Sequence, residues 1–342
     1  MLRSETAASP DRRAAALAGL RRYQQAPRTR RTLAPVRFRK GAARLRDYRS
    51  AAGTDAPPVV FVPSLINPPF VLDLAPDRSL VRWVAAQGFD AWLVDWGTPR
   101  PQDASLDLAG HVERRLLPLL AKLDRAPILV GYCLGGTLAT AAAALLGPRC
   151  AGLATIAAPW RFAGYGDAAR EEMTRLWRSA EPAARTLGAL PMEVLQAGFW
   201  RLDPQRTVAK YEAFATMDDA AAATFVALED WANAGAPLSY AAGADLFDAL
   251  LARDLPGRGE WRVAGRAIDP ARLVCPLLEF VSRTDRITPA ATAAGTGVRH
   301  DLSLGHVGMV VGGRARPMLY EPLAAWLTSV AAGARGANVL TS

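Results

Sequence analysis

The stretch Ile128-Leu-Val-Gly-Tyr-Cys-Leu-Gly-Gly136 constrains the fold of this 342-residue chain more than any other. It reads as a short apolar strand (Ile128–Tyr132), a turn with Cys133 at its apex, and an Ala/Leu helix over Thr137–Leu146. Gly131-Tyr-Cys-Leu-Gly135 has the form G-x-nucleophile-x-G, in which small residues on either side let strand and helix approach closely around a tight turn. A thiol there sits at a helix N-terminus, where the dipole favours thiolate. The backbone N–H of Leu134 then points to where an oxyanion would form, and Leu65, in the loop after the apolar run Val59–Val62, is the candidate second donor. The uncharged segment 126–148 is long enough to span a bilayer. Its strand–turn–helix pattern makes it a buried unit of a soluble core instead.

The surrounding pattern extends that unit into an α/β fold. Apolar runs at Val59–Val62, Ala91–Trp96, Ile128–Tyr132 and Gly152–Ala157 alternate with helical segments at Asp77–Gln87, Leu106–Leu123 and Thr137–Leu146. Such alternation indicates a mainly parallel sheet with helices on both faces. Arg37–Tyr48 reads as an early strand and connection, and Pro118 as a kink in its helix. The alternation stops at Trp160. Residues up to about 270 carry a helical, aromatic-rich pattern, after which Leu273–Ser282 and Val298–Leu304 return to strands and Pro317–Ala332 closes as a helix. The expected organisation is a basic, Arg- and Ala-rich arm over 1–35, either a helix or a tail without fixed structure, an α/β core over 36–159 and 271–335, and an inserted helical cap over 160–270.

A base for Cys133 must come from one of three histidines, His111, His300 and His306. His306 lies in Leu304-Gly-His-Val-Gly308 after a strand, on a loop with room to move. His111 lies among charges in His111-Val-Glu-Arg-Arg115 and reads as exposed; His300 reads as a structural strand residue. In this fold the order along the chain is nucleophile, acid, histidine. Asp285, in Ser282-Arg-Thr-Asp-Arg-Ile-Thr-Pro289, follows the strand before that of His306 and is the expected acid. Asp301, within the histidine's own strand, is its rival, while Asp73 and Asp95 read as loop braces.

Charge and cysteine usage limit the remaining options. Residues 1–50 hold 14 Arg/Lys and 3 Asp/Glu, while the rest is nearly balanced, so the net +9 is an N-terminal property. It suits either a solvated arm or attraction to an anionic surface; no nucleic-acid motif accompanies it. Cys133, Cys150 and Cys275 form neither a disulfide framework nor a CxxC metal site, and Cys150 and Cys275, at strand starts, read as packing residues. Free thiols and the lack of a clear signal peptide point to a cytoplasmic protein with no transmembrane span, and no metal or resident cofactor is expected.

Several stretches together resemble the polyhydroxyalkanoate synthases: Val62-Pro-Ser-Leu-Ile-Asn67, Val71-Leu-Asp-Leu74, Ser79-Leu-Val-Arg82, Gln87-Gly-Phe-Asp90, Asp95-Trp-Gly97, Gly131-Tyr-Cys-Leu-Gly-Gly-Thr137, Arg283-Thr-Asp-Arg-Ile-Thr-Pro289 and Gly305-His306. The resemblance is densest over 59–140. It implies an α/β-hydrolase fold and a Cys133–His306–Asp285 triad that moves hydroxyacyl groups from CoA thioesters, with Asn67 among the substrate-binding residues. It also implies, as partners, a second subunit or a homodimer through the cap, and a polymer granule surface. A thioesterase, esterase or intracellular depolymerase on the same triad is the alternative. The chain departs from the family pattern at Arg286, where histidine is usual, and in Ala158-Pro-Trp-Arg-Phe162, and the resemblance implies the short form of the family, expected to be without the long N-terminal domain of the large synthases.

Overall fold

The computed structural model describes residues 2–28, 31–49 and 56–339. Its centre is one eight-stranded sheet: β1 (Val36–Lys40), β2 (Ala43–Asp47), β3 (Val59–Val62), β4 (Ala91–Asp95), β5 (Ile128–Tyr132), β6 (Gly152–Ile156), β7 (Leu277–Ser282) and β8 (Val298–Leu302). The spatial order is β1-β2-β4-β3-β5-β6-β7-β8. The pairs from β4 to β8 are parallel, and β1 and β2 join as antiparallel strands. Every residue of β3, β4, β5 and β6 is buried. These are the strands whose sequences read as continuous apolar runs, as expected where both faces of a parallel sheet are covered.

Hydrophobic clusters on the two faces show that covering. Leu116, Leu138, Leu153, Trp160 and Trp177 belong to one, and Phe61, Leu80, Val130, Phe280 and Leu323 to the other. The helix after Asp77 starts only at Leu80 (α2, Leu80–Ala86), where the Ser79 hydroxyl accepts from the Arg82 N–H at 3.0 Å as an N-cap. The helical stretch Leu108–Leu120 widens into a π turn over Val112–Leu116, just before Pro118, which has no N–H to donate.

Between β6 and β7 lie the long helices α4 (Asp167–Leu187), α5 (Met192–Leu202), α6 (Pro204–Phe214) and α7 (Asp219–Asn233), with α3 (Leu134–Leu146) preceding them and α8 (Glu321–Val339) closing the chain. Of the two forms expected for the N-terminal arm, helix or tail, the described residues show the helix. Pro10–Gln25 forms a helix, α1, capped by Ser9, and it packs on α6. A Cβ at Gly19 would lie 1.9 Å from the Tyr211 carbonyl oxygen, so only glycine permits this approach. The basic groups turn inward: Arg22 donates to the Phe214 carbonyl at 2.7 Å, Arg12 pairs with Glu212 at 2.9 Å, and Arg28 and the Tyr23 hydroxyl both reach Asp230. Charge composition registers the arginines but not the acids they meet, which lie some 200 residues away in sequence.

Candidate active site

The turn after β5 has the strain its role requires. Cys133 sits at φ 56°, ψ −135°, a conformation costly for a residue with a side chain. Its N–H donates to the Ile156 carbonyl at 3.0 Å, and its carbonyl accepts from the Gly136 N–H at 2.8 Å. The helix starts directly at Leu134, three residues earlier than its composition suggests. The flanking glycines are sterically obligatory. A Cβ at Gly131 would fall 2.3 Å from the Gly136 Cα, and one at Gly135 would fall 2.1 Å from the Val62 carbonyl oxygen and 2.4 Å from that of Pro63. The start of α3 is therefore pressed against the loop after β3, which carries Leu65. That loop is pinned by the Trp96 indole, which donates to the Pro63 carbonyl at 3.0 Å, and by the Ser64 hydroxyl, which accepts from the Ile66 N–H at 3.1 Å.

His306 and Asp285 come to the same end of the sheet from the loops after β8 and β7. The His306 Nδ1 lies 2.6 Å from the Asp285 Oδ2, and both side chains are buried. The other carboxylate oxygen of Asp285 accepts from the backbone N–H groups of Ile287 and Thr288 at 2.8 and 3.0 Å, which orients it. Asp301 is engaged elsewhere, with Arg283 and Arg299 on the surface. Burial alone would depress the His306 pKa. The neighbouring Cys133 sulfur and the Asp285 carboxylate outweigh it and raise the pKa to about 10.

Two site residues escaped sequence reasoning. Tyr132, beside the nucleophile and fully buried, donates its hydroxyl to the His306 carbonyl at 3.1 Å and holds its ring centroid 5.0 Å from the imidazole. A phenol at the end of an otherwise aliphatic buried strand, needing a partner for its O–H, was the available signal. Tyr165, in the connection that follows β6, has its pKa raised by burial and further by the nearby charges of Cys133 and Asp285.

Asn67 faces the cap backbone: its Nδ2 lies 3.4–3.5 Å from the carbonyls of Trp231, Ala232 and Ala234 at the end of α7. His111 is corrected. It is 8% exposed, with Nδ1 2.8 Å from the Asp107 carbonyl and its ring edge-on to Trp96. The stripe Leu108, Val112, Leu116 could have revealed this, since His111 shares that buried face of the helix. His300 is a strand residue, packed near Phe280. Among the described residues no helix is long and apolar enough to cross a membrane.

Residues 57–293 match the α/β-hydrolase-fold family, and the chain belongs to it. Solved structures agree on the fold: a monoacylglycerol lipase from Paleococcus ferrophilus superposes with a TM-score of 0.50, at 15% identity, over 80% of this chain and 96% of its own. Within that fold the chain is similar to poly(3-hydroxyalkanoate) polymerase subunits. It is 28% identical over 85% of its length to a poly(3-hydroxyalkanoate) polymerase subunit of Haloferax mediterranei, and 26% identical over 84% to one of Haloarcula marismortui. It spans 63% and 66% of those two proteins. The like-named subunit of Thiocystis violacea is 25% identical over 79% of this chain, which spans 80% of that relative.

Proposed function

We propose that this protein is a polyhydroxyalkanoate-synthase-like acyltransferase that carries hydroxyacyl groups from CoA thioesters as a thioester on Cys133. The observation that carries this reading is the His306–Asp285 pair at 2.6 Å, set beside a cysteine on a strained strand–helix turn. His306 takes the thiol proton and Asp285 holds the imidazole in the required tautomer. The Cys133 sulfur adds to the substrate carbonyl, and the N–H groups of Leu134 and Leu65 hold the developing oxyanion. Collapse expels CoA, which takes the proton from His306. His306 next removes a proton from the hydroxyl of an incoming hydroxyacyl-CoA; its oxygen attacks the Cys133 thioester, the C–S bond breaks, the Cys133 thiolate leaves and takes the proton back from His306, and the acyl chain departs on CoA lengthened by one unit.

Cysteine suits this exchange better than serine. An enzyme thioester and an acyl-CoA are close in energy, so loading is nearly balanced, and the thiolate leaves readily when the hydroxyl attacks. The buried surroundings of His306 and Asp285 keep water away from the proton-transfer pair. The resemblance that motivates this reading also suggests a second subunit or homodimer contact through the cap, and association with a polymer granule.

The test is incubation of the purified protein with 3-hydroxybutyryl-CoA, following CoA release, polymer and free acid together. Polymer with an acyl adduct on Cys133, both lost in Cys133→Ala, is expected. Free acid alone, with the adduct discharged by water, would make the protein a thioesterase. CoA release by Cys133→Ala at the wild-type rate would exclude covalent catalysis there.

A further inference from the structure

The two cysteines that the proposed chemistry leaves unused lie next to each other at the opposite end of the sheet. Cys150 lies two residues before β6 and Cys275 two residues before β7, which are adjacent parallel strands. The register pairs Leu153 with Leu277, and the Leu153 N–H donates to the Pro276 carbonyl at 2.9 Å. Cys275 thereby falls beside the backbone at 150–152. Neighbouring strands lie ~4.8 Å apart, and disulfides need Cα separations of about 4.4–6.8 Å. Both side chains pack into the same apolar cluster, close enough for the two thiols to interact, while the Cys150 thiol donates to the Gly152 carbonyl at 3.4 Å.

Their environments differ in a way that suits sequential oxidation. Cys150 is 3% exposed, its N–H fixed on the Gly147 carbonyl, whereas Cys275 is half-buried and follows the exposed Val274. The contact between the thiols lowers the Cys275 pKa and raises that of Cys150, which burial raises further. Cys275 is thus the thiol that a small oxidant reaches, and the more easily ionised of the pair.

We propose that Cys150 and Cys275 are a redox-modification site that closes reversibly to a disulfide with a peroxide as oxidant. The Cys275 thiolate attacks a peroxide oxygen; the O–O bond breaks, a sulfenic acid forms on Cys275 and, for hydrogen peroxide, one water leaves. The Cys150 sulfur then attacks the Cys275 sulfur, the S–S bond forms, and the sulfenic oxygen departs as a second water with the thiol proton. Two thiols and one peroxide become one disulfide and two waters, and two electrons from a dithiol reverse the change. The bond would cross-link the N-terminal ends of β6 and β7, closing a loop that holds β6 and the whole insertion that follows it, and leaving the Cys133 end of the sheet untouched. Constraining so long a loop stabilises chiefly by restricting the unfolded chain.

The test uses the full-length Cys133→Ala protein, so that the elbow thiol cannot compete. After brief treatment with hydrogen peroxide, intact mass should fall by the mass of two hydrogens and return with dithiothreitol. A digest should contain a Cys150–Cys275 linked peptide, and the thermal midpoint should be higher without reductant than with it. In a Cys150→Ser derivative, Cys275 should instead gain oxygen and be trapped by dimedone. Stepwise oxygen addition in the unmodified pair, or linkage only between molecules, would overturn the proposal. If Cys150→Ser fails to fold, the linked peptide and its reversal still decide the matter.

Discussion

His306 and His111 are both almost fully buried in the same chain, and burial disfavours the charged form of each, yet their pKa values move in opposite directions. His111 has Trp96 at its edge, a backbone carbonyl on Nδ1 and the Arg115 charge nearby. Desolvation dominates, and its pKa falls to about 4. His306 is buried just as deeply but stands between Cys133 and Asp285, and its pKa rises to about 10. The difference shows what makes one histidine a candidate base and the other a packing residue: negative partners placed on it, and not exposure, position in a cleft or residue type.

The sharpest way to break this contrast is to remove the carboxylate. Asp285→Asn should convert the surroundings of His306 toward those of His111. We expect the imidazole pKa to fall and acyl transfer to drop on the order of 10⁴-fold, because the tautomer is no longer held. Imidazole titration by NMR alongside steady-state kinetics measures both; an unmoved pKa would show that Asp285 is not the group that sets it.

The two histidines should also shape stability against pH from opposite sides. The folded pKa of His111 lies below its unfolded value of about 6.5, so the unfolded chain binds the extra proton first as pH falls. Stability is then lost between about pH 6.5 and 4, by about 3 kcal/mol across that window. His306, with its folded pKa raised, contributes stability that is full below about pH 6.5 and lost as pH climbs toward about 10. Urea unfolding across pH should show His111→Gln flattening the acid limb alone and His306→Gln flattening the alkaline limb alone. An unchanged acid slope in His111→Gln would remove His111 from the comparison.

The smallest effect is expected at the rival acid. Asp301→Asn breaks only surface pairs with Arg283 and Arg299, and activity should change less than about twofold. A loss comparable to that of Asp285→Asn would mean that the carboxylate beside His306 is not the one that acts.

Much of the core and the site could be read before the structure because their signals are local. The Gly131–Gly136 turn declares itself in six residues, and Asp285 and His306 follow from strand order and from the scarcity of histidines. Other features depend on residues far apart in sequence. Gly19 is an ordinary helix glycine until the Tyr211 backbone lies against it. The charge of the arm suited a solvated tail or an external anionic partner because Glu212 and Asp230, which absorb part of it, are distant. His111 was misjudged from its charged neighbours along the chain, although the helical period already placed it with Leu108 and Val112. The contact between Cys150 and Cys275 needs the β6–β7 pairing, which no spacing of the two cysteines reveals.

The strand order has a consequence for how the protein is made. β6 and β7 are neighbours in the sheet, but the last residue of β6 is Ile156 and β7 begins at Leu277. A ribosome adding ~5–20 residues per second needs roughly 6–25 s to cross that interval. Throughout it, the nascent half-core presents β6, a strand buried along its whole length in the finished fold, as an unpaired edge that any other extended segment could join. The same interval leaves Cys133 already seated on its turn, with neither Asp285 nor His306 yet synthesised.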